Sequence, residues 1–235
     1  FPGLNTALSA CFASSATLLR LDIGHNFMDH AMCACLGQHL RWCCNLQELG
    51  LEYAQLRASK IMALANALET PLPSLTHLRI GGNRMTTQDP GVASMRQLMA
   101  KFPSVVHLGA SQCNFGPEIL FAMRDASWLS QMRHLEIWDQ ELCPCGGEAL
   151  GSLARCFAAL EHFVLSMHPR DNTGLHGLAR VIAACVNLQH FQLRPSVWVN
   201  PSTFISQTDG LRAVLRALRH CAKIIHVDLS GFTLD

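Results

Sequence analysis

Apolar residues along this chain keep two alternating rhythms. The first is a short phrase in which apolar and polar positions alternate: Leu18, Leu21 and Ile23, then Leu46, Leu49 and Leu51, then Leu75, Leu78 and Ile80. The phrase returns at Val105, Met132, Leu160, Leu188 and Ile224, which makes eight copies. Intervals between starts run from 27 to 30 residues, with one of 36 before the last copy. Strict alternation puts the apolar side chains on one face of a short strand. The second rhythm is helical. Ten residues before each start stand Leu8, Leu36, Ala65, Met95, Ala122, Leu150, Leu178 and Val214. Six before stand Phe12, Leu40, Met99, Ala126, Ala154, Ile182 and Leu218, with Glu69 the exception. Positions four apart share one helix face, so each unit is predicted to be a strand followed by a helix with one buried stripe. Repeated strand–helix units demand parallel strands, because each helix must carry the chain back along one side of the sheet.

The clearest copies are Leu75-Thr-His-Leu-Arg-Ile-Gly-Gly-Asn83-Arg-Met85 and Leu18-Leu-Arg-Leu-Asp-Ile-Gly-His-Asn26-Phe-Met28. In these phrases the chain resembles the leucine-rich repeat family, in particular its helix-bearing, ribonuclease inhibitor-like class, over roughly residues 4 to 235. The resemblance implies an α/β fold: a curved solenoid with a parallel inner sheet of about eight strands and helices outside. It also implies one repeat domain spanning residues 1–235. In the family the asparagine that ends each phrase points inward and satisfies backbone groups of the turn leaving the strand. Here only Asn26 and Asn83 keep it. Ala54, Cys113, Gln140, His168, Ser196 and Phe232 stand at the equivalent places, so those turns need other partners.

Composition narrows the class. Of 235 residues, 49% are hydrophobic and 15% charged, with a net charge of +1, so no basic face points to nucleic acid and no acidic block to a solubilising tail. No apolar run is long enough to cross a bilayer, and no membrane insertion is expected. The start at Phe1 carries no basic leader; the chain is expected to be trimmed or to be part of something longer. There are 11 cysteines. Cys43, Cys185 and Cys221 lie three residues before a phrase, where other units place Leu72, Phe102, Leu129 and Phe157, so they are expected to be buried, reduced and structural. The pairs Cys33/Cys35, Cys43/Cys44 and Cys143/Cys145 complete no zinc set. An intracellular, reducing compartment, cytoplasmic or organellar, is the natural home for such thiols.

Phase also assembles the candidate binding residues. His77, His107, His134, His162, His190 and His226 occupy one position in six consecutive phrases, continued by Arg20 and Glu48. Each precedes a core leucine or its equivalent, so its side chain is expected on the concave face, in register with its neighbours at about 4.8 Å. A row of neutral imidazoles at that pitch can exchange hydrogen bonds and hold an anion or a metal. The same row also fits a half-exposed strand position that merely tolerates histidine. If the row is functional, repulsion lets only some rings protonate near pH 6, where an acidic partner would bind more strongly. Two residues on lie Asp22, Arg79, Glu136, Gln192 and Asp228; the next row holds Glu52, Trp138 and Arg194. Trp138, beside Asp139 and one unit from Met167, is a candidate aromatic anchor, and Tyr53 sits on the equivalent rim. The unit that is too long places its surplus at Val199–Asp209, where Phe204 is a candidate contact. Trp198 is expected in the core.

No nucleophile elbow, phosphate-binding glycine loop or His-Glu-x-x-His appears, so no catalytic residue, cofactor or metal ligand is assigned. The leading expectation is a non-enzymatic protein–protein interaction scaffold, a subunit of a hetero-oligomeric assembly that uses its concave face and rim loops. Two alternatives stay open. One is the ligand-sensing or inhibitory repeat arm of a nucleotide-binding receptor-like protein. The other, a GTPase-activating protein of the Ran type, would rely on a loop arginine such as Arg84.

Overall fold

The computed structural model describes residues 15–84, 89–113, 120, 123, 127–138, 144–167, 172–195 and 208–232. Eight strands form one open sheet in chain order: β1 Arg20–Asp22, β2 Glu48–Gly50, β3 His77–Arg79, β4 His107–Gly109, β5 His134–Ile137, β6 His162–Met167, β7 His190–Pro195 and β8 His226–Asp228. Every neighbouring pair is parallel, and the register joins equivalent positions of successive phrases, as in Leu78 with Leu108 and Leu135 with Phe163. Six helices lie among the described residues: α1 His30–Leu40, α2 Ala58–Ala67, α3 Asp89–Ala100, α4 Pro144–Ser152, α5 Asn172–Ala184 and α6 Thr208–Leu218. They pack against one another in sequence, α1 on α2, α2 on α3, α4 on α5 and α5 on α6. This is the leucine-rich repeat solenoid expected from the two rhythms, with the parallel ladder inside and helices along its other side.

The core is the strip between the two layers. Leu49, Leu78, Leu108, Leu135, Phe163 and Phe191 are buried from the strands. Leu36, Leu40, Ala65, Met95, Met99, Leu150, Leu178, Ile182, Val214 and Leu218 meet them from the helical stripe. Trp128 fills the layer between units, and its indole Nε1 donates to the Met99 carbonyl at 3.2 Å, which satisfies its one polar atom. Cys43, Cys185 and Cys221 are buried as their phase predicts. Burial pushes the Cys185 thiol up to about 12 and raises Cys43 and Cys221 as well, so these sulfurs stay protonated and pack as small apolar groups.

The turns leaving the strands follow a second repeated rule. His25, Tyr53, Gly82, Gln112 and Gly231, at equivalent places in their units, all take positive φ, from 51° to 88°. Gly82 is required there for a further reason: a Cβ would collide with the Tyr53 ring lying across it. The next position carries the asparagine that ends the clearest phrases. Buried Asn83 donates from Nδ2 to the carbonyls of Leu51 and Ile80, both at 2.8 Å, and accepts at Oδ1 from the Leu56 amide at 2.9 Å. One amide thereby ties two adjacent units. Where Cys113 replaces asparagine, its thiol donates to the Ile80 carbonyl at 3.1 Å and recovers one of those bonds. Asn26, in a more exposed turn, donates to Ile23 and Gly24 carbonyls.

Candidate functional site

Alternation along each phrase sends the leucine or phenylalanine into the core and the preceding histidine to the opposite, open face of the sheet. His77, His107, His134, His162 and His190 are half-buried there, and His226 is exposed on the last strand. Their Cα atoms are paired in register from β3 to β8. Because the strand pitch matches the thickness of stacked rings, the imidazoles form a ladder. Centroids of His107 and His134 lie 3.9 Å apart with planes 8° from parallel, and His162 and His190 repeat this at 4.2 Å and 8°. His134 and His162 are stacked at 5.0 Å, while His77–His107 at 4.9 Å and His190–His226 at 5.9 Å are tilted.

Glu136 lies two residues beyond His134 on the same face, and its Oε1 is 2.7 Å from His134 Nε2. That bond holds the Glu136 carboxyl below its ordinary range against the opposing effect of burial. Burial, reinforced by the neighbouring His134 and His77 rings, pushes His107 down to about 4. His162 is lowered for the same reasons, burial first and then His134 and His190. His107 and His162 are therefore rings that resist protonation. His107, His134 and Glu136 each offer a donor atom, all within 4.8 Å of one another.

The first three strands fill the same rows differently. Arg20 pairs with Glu48 across β1 and β2. Arg79 reaches over β2 to Asp22 at 2.5 Å and approaches Glu52 at 3.4 Å. Gly50, lying between, makes that reach possible, since a Cβ there would stand 2.6 Å from Asp22 Oδ1 and 3.0 Å from Arg79 Nη2. At the rim Tyr53 is exposed, stacks on His25 at 4.8 Å and donates its hydroxyl to Gln112 Oε1 at 2.7 Å. At the other end of the face Asp228 accepts from Gln192 at 2.5 Å and lies 3.7 Å from the Arg194 guanidinium.

Among the residues singled out from sequence, the six histidines form one row, with Glu136 beside them in the next row and Arg194 on the same face toward β8. Trp138 is half-buried at the end of β5, where its carbonyl accepts from the Gln112 amide at 2.9 Å. Tyr53 lies on the same strand-end rim, three units away, bonded to the Gln112 side chain. Arg84 is exposed beside Asn83. Met167 ends β6, but its side chain, like Asp139, Phe204 and Trp198, lies outside the described residues. Sequence reasoning did not single out the Glu136–His134–His107 grouping as a unit; the signal was present in the alternation, which puts positions two apart on one face. It also missed the Tyr53–Gln112 bond, which joins residues 59 apart in sequence. Away from this face, a shallow hollow of about 370 Å³ lies between α1 and α2, lined by residues that include His30, Ser59, Met62 and Asn66.

No protein-family model matches the chain, and no curated protein does so either. Among solved structures the chain is similar to an internalin from Listeria monocytogenes, at 10% sequence identity and a TM-score of 0.29, over 97% of this chain and 95% of that one. So loose a likeness adds nothing to the fold beyond the strand ladder itself. Among the described residues no helix is long and apolar enough to cross a membrane.

Proposed function

We propose that the chain is a non-catalytic docking scaffold of the ribonuclease inhibitor-like class, acting as one subunit of a larger protein assembly. Repeats of 27–30 residues with full α-helices on the outer layer favour that class. One unbroken ladder from β1 to β8 favours reading residues 1–235 as a single repeat domain. The observation that carries the functional reading is the open face itself. Six strands present imidazoles at a fixed pitch, with Glu136 and Trp138 beside them and Arg194 towards one end. Such an array is already ordered before a partner arrives, which lowers the cost of forming a broad interface. Half-buried aromatic and charged side chains are also the types that anchor protein partners. The partner is a protein rather than nucleic acid, because a net charge of +1 supplies no basic track. Shielded thiols such as Cys185 and Cys113 suit a reducing, intracellular setting.

A photo-crosslinking amino acid placed at Val164, on the open face, and separately at Arg216, exposed on α6, tests this reading in cells that express the chain. Cross-links to a discrete protein from position 164, with few from position 216, are expected. Equal or stronger cross-linking from the outer helix would move the docking surface to the other layer.

A further inference from the structure

The open face carries a grouping that docking alone does not call for: two imidazoles and a carboxylate gathered within one ligand sphere's reach. We propose that His107, His134 and Glu136 form a binding site for a first-row divalent transition-metal ion of the zinc type, with a coordination position left open toward solvent.

The donor set fits that class of ion. Two imidazole nitrogens and one carboxylate oxygen suit zinc, nickel or copper, whereas calcium and magnesium favour sets made wholly of oxygen. The distances require only side-chain motion. The three donor atoms lie within 4.8 Å of one another, and two ligands bound to one zinc at about 2.0–2.1 Å must stand roughly 3.4 Å apart. His134 Nε2 and Glu136 Oε1, at 2.7 Å, are already gathered and open slightly around the ion. His107 must swing inward. Its ring and that of His134 are now 8° from parallel, an arrangement that aims their lone pairs side by side rather than at a common point. Rotation about the side-chain torsions of half-exposed rings corrects this without moving β4 or β5.

Charge is also prepared. Each ring binds the ion through an unprotonated nitrogen, the lone pair that a neutral imidazole supplies. Where His134 carries its proton on Nε2, that proton moves to Nδ1 by way of solvent, and the His134–Glu136 hydrogen bond is exchanged for two bonds to the ion. The bound ion then sits on a carboxylate whose charge it neutralises. His77, 4.9 Å from His107, and His162, 5.0 Å beyond His134, are the next imidazoles on either side. The remaining position can take water or a side chain of a docked protein. Cysteine plays no part: Cys113 is buried in the turn behind the sheet, donating to Ile80.

The test uses the 235-residue chain, titrated calorimetrically with Zn²⁺ at pH 7.5 in two buffers of different ionisation enthalpy, with Mg²⁺ as the control ion. One Zn²⁺ per chain, with no heat from Mg²⁺, is expected. His134→Ala and Glu136→Gln should each weaken binding by about tenfold or more, while His226→Ala, at the exposed end of the ladder, leaves it unchanged. Co²⁺ loaded into the same chain should show visible ligand-field bands without a thiolate charge-transfer band. The proposal is overturned if Zn²⁺ binds no better than Mg²⁺, or if binding survives in a His107→Ala/His134→Ala chain whose circular dichroism is native. It is equally overturned if every histidine of the ladder, His226 included, contributes alike, or if the Co²⁺ spectrum is that of a thiolate site. Docking is read separately by the Val164 cross-link in metal-free medium, so loss of either result leaves the other standing.

Discussion

The two ends of the open face use one backbone frame for opposite electrostatic purposes. Across β1 to β3 the rows hold permanent charges: Arg20 pairs with Glu48, and Arg79 is shared between Asp22 and Glu52. From β3 to β8 the first row holds titratable rings that stack, with His107 lowered by burial and its ring neighbours. The strand pitch is the same in both, so the difference lies in the side chains each phrase turns to the open face. Paired ions at the surface are screened by water and salt and contribute little to stability. Stacked half-buried imidazoles exclude water from one another and couple their protonation. A repeat fold can therefore hold one stretch of its surface electrostatically quiet and another responsive without altering its core.

Substitutions can break or sharpen that contrast. The largest effect is expected beneath the ladder. Phe163 is fully buried between Phe157 and Phe191, with centroids at 6.3 and 6.2 Å, and Phe163→Ala should cost about 3–5 kcal/mol in urea unfolding. Leu49→Ala, the same slot under the ion pairs, should cost about 2–5 kcal/mol, so a large excess at Phe163 would show that the aromatic layer supports the histidine half especially. Next come the turns. Asn83→Ala strands the Leu56 amide and the Leu51 carbonyl, while the Ile80 carbonyl keeps the Cys113 thiol, at about 1–3 kcal/mol, whereas Asn26→Ala in its more exposed turn should cost clearly less.

The pH response separates the two ends most cleanly. His107 is lowered from its ordinary value to about 4 by burial, His134 and His77, with Glu136 opposing and Arg79 reinforcing. A histidine depressed in the fold binds fewer protons than in the unfolded chain. Its contribution is therefore complete above the ordinary imidazole range and declines as pH falls through that range toward about 4. His162 acts in the same direction. Glu136 loses its contribution only lower still, below the ordinary carboxylate range. Between pH 7.5 and 5 the fold should lose on the order of 1 kcal/mol, after discount for partial exposure. His107→Gln should flatten the dependence over that window; an unchanged slope would contradict it. The smallest effect belongs to the ion pairs: Arg79→Ala should change stability by less than about 1 kcal/mol, and that difference should shrink as salt is added.

Much of this was legible in the sequence for a definite reason. The phrase Leu75-Thr-His-Leu-Arg-Ile fixes strand, face and register at once, because a slip of one residue would expose Leu78 and bury His77. Cys185 declared itself by standing where Phe157 stands in another unit. What could not be read was the pairing of side chains across units. The reach of Arg79 over Gly50 to Asp22 depends on a missing side chain in the intervening strand. The hydroxyl bond from Tyr53 to Gln112 depends on a glycine beneath the ring. Cys113 taking over part of an asparagine's hydrogen bonding required knowing which carbonyl lay within 3.1 Å. The depression of His107 likewise needs the depth of one ring among its neighbours, which periodicity does not contain.

The most direct measurement is a proton NMR titration of the imidazole resonances, assigned by single substitutions along the row. If the repeat phase carries these histidines into one coupled ladder, His107 titrates near pH 4 and His162 below the ordinary imidazole range, and His134→Gln raises His107. Titration of His107 and His162 as independent imidazoles near pH 6.5, indifferent to changes at position 134, would contradict the ladder.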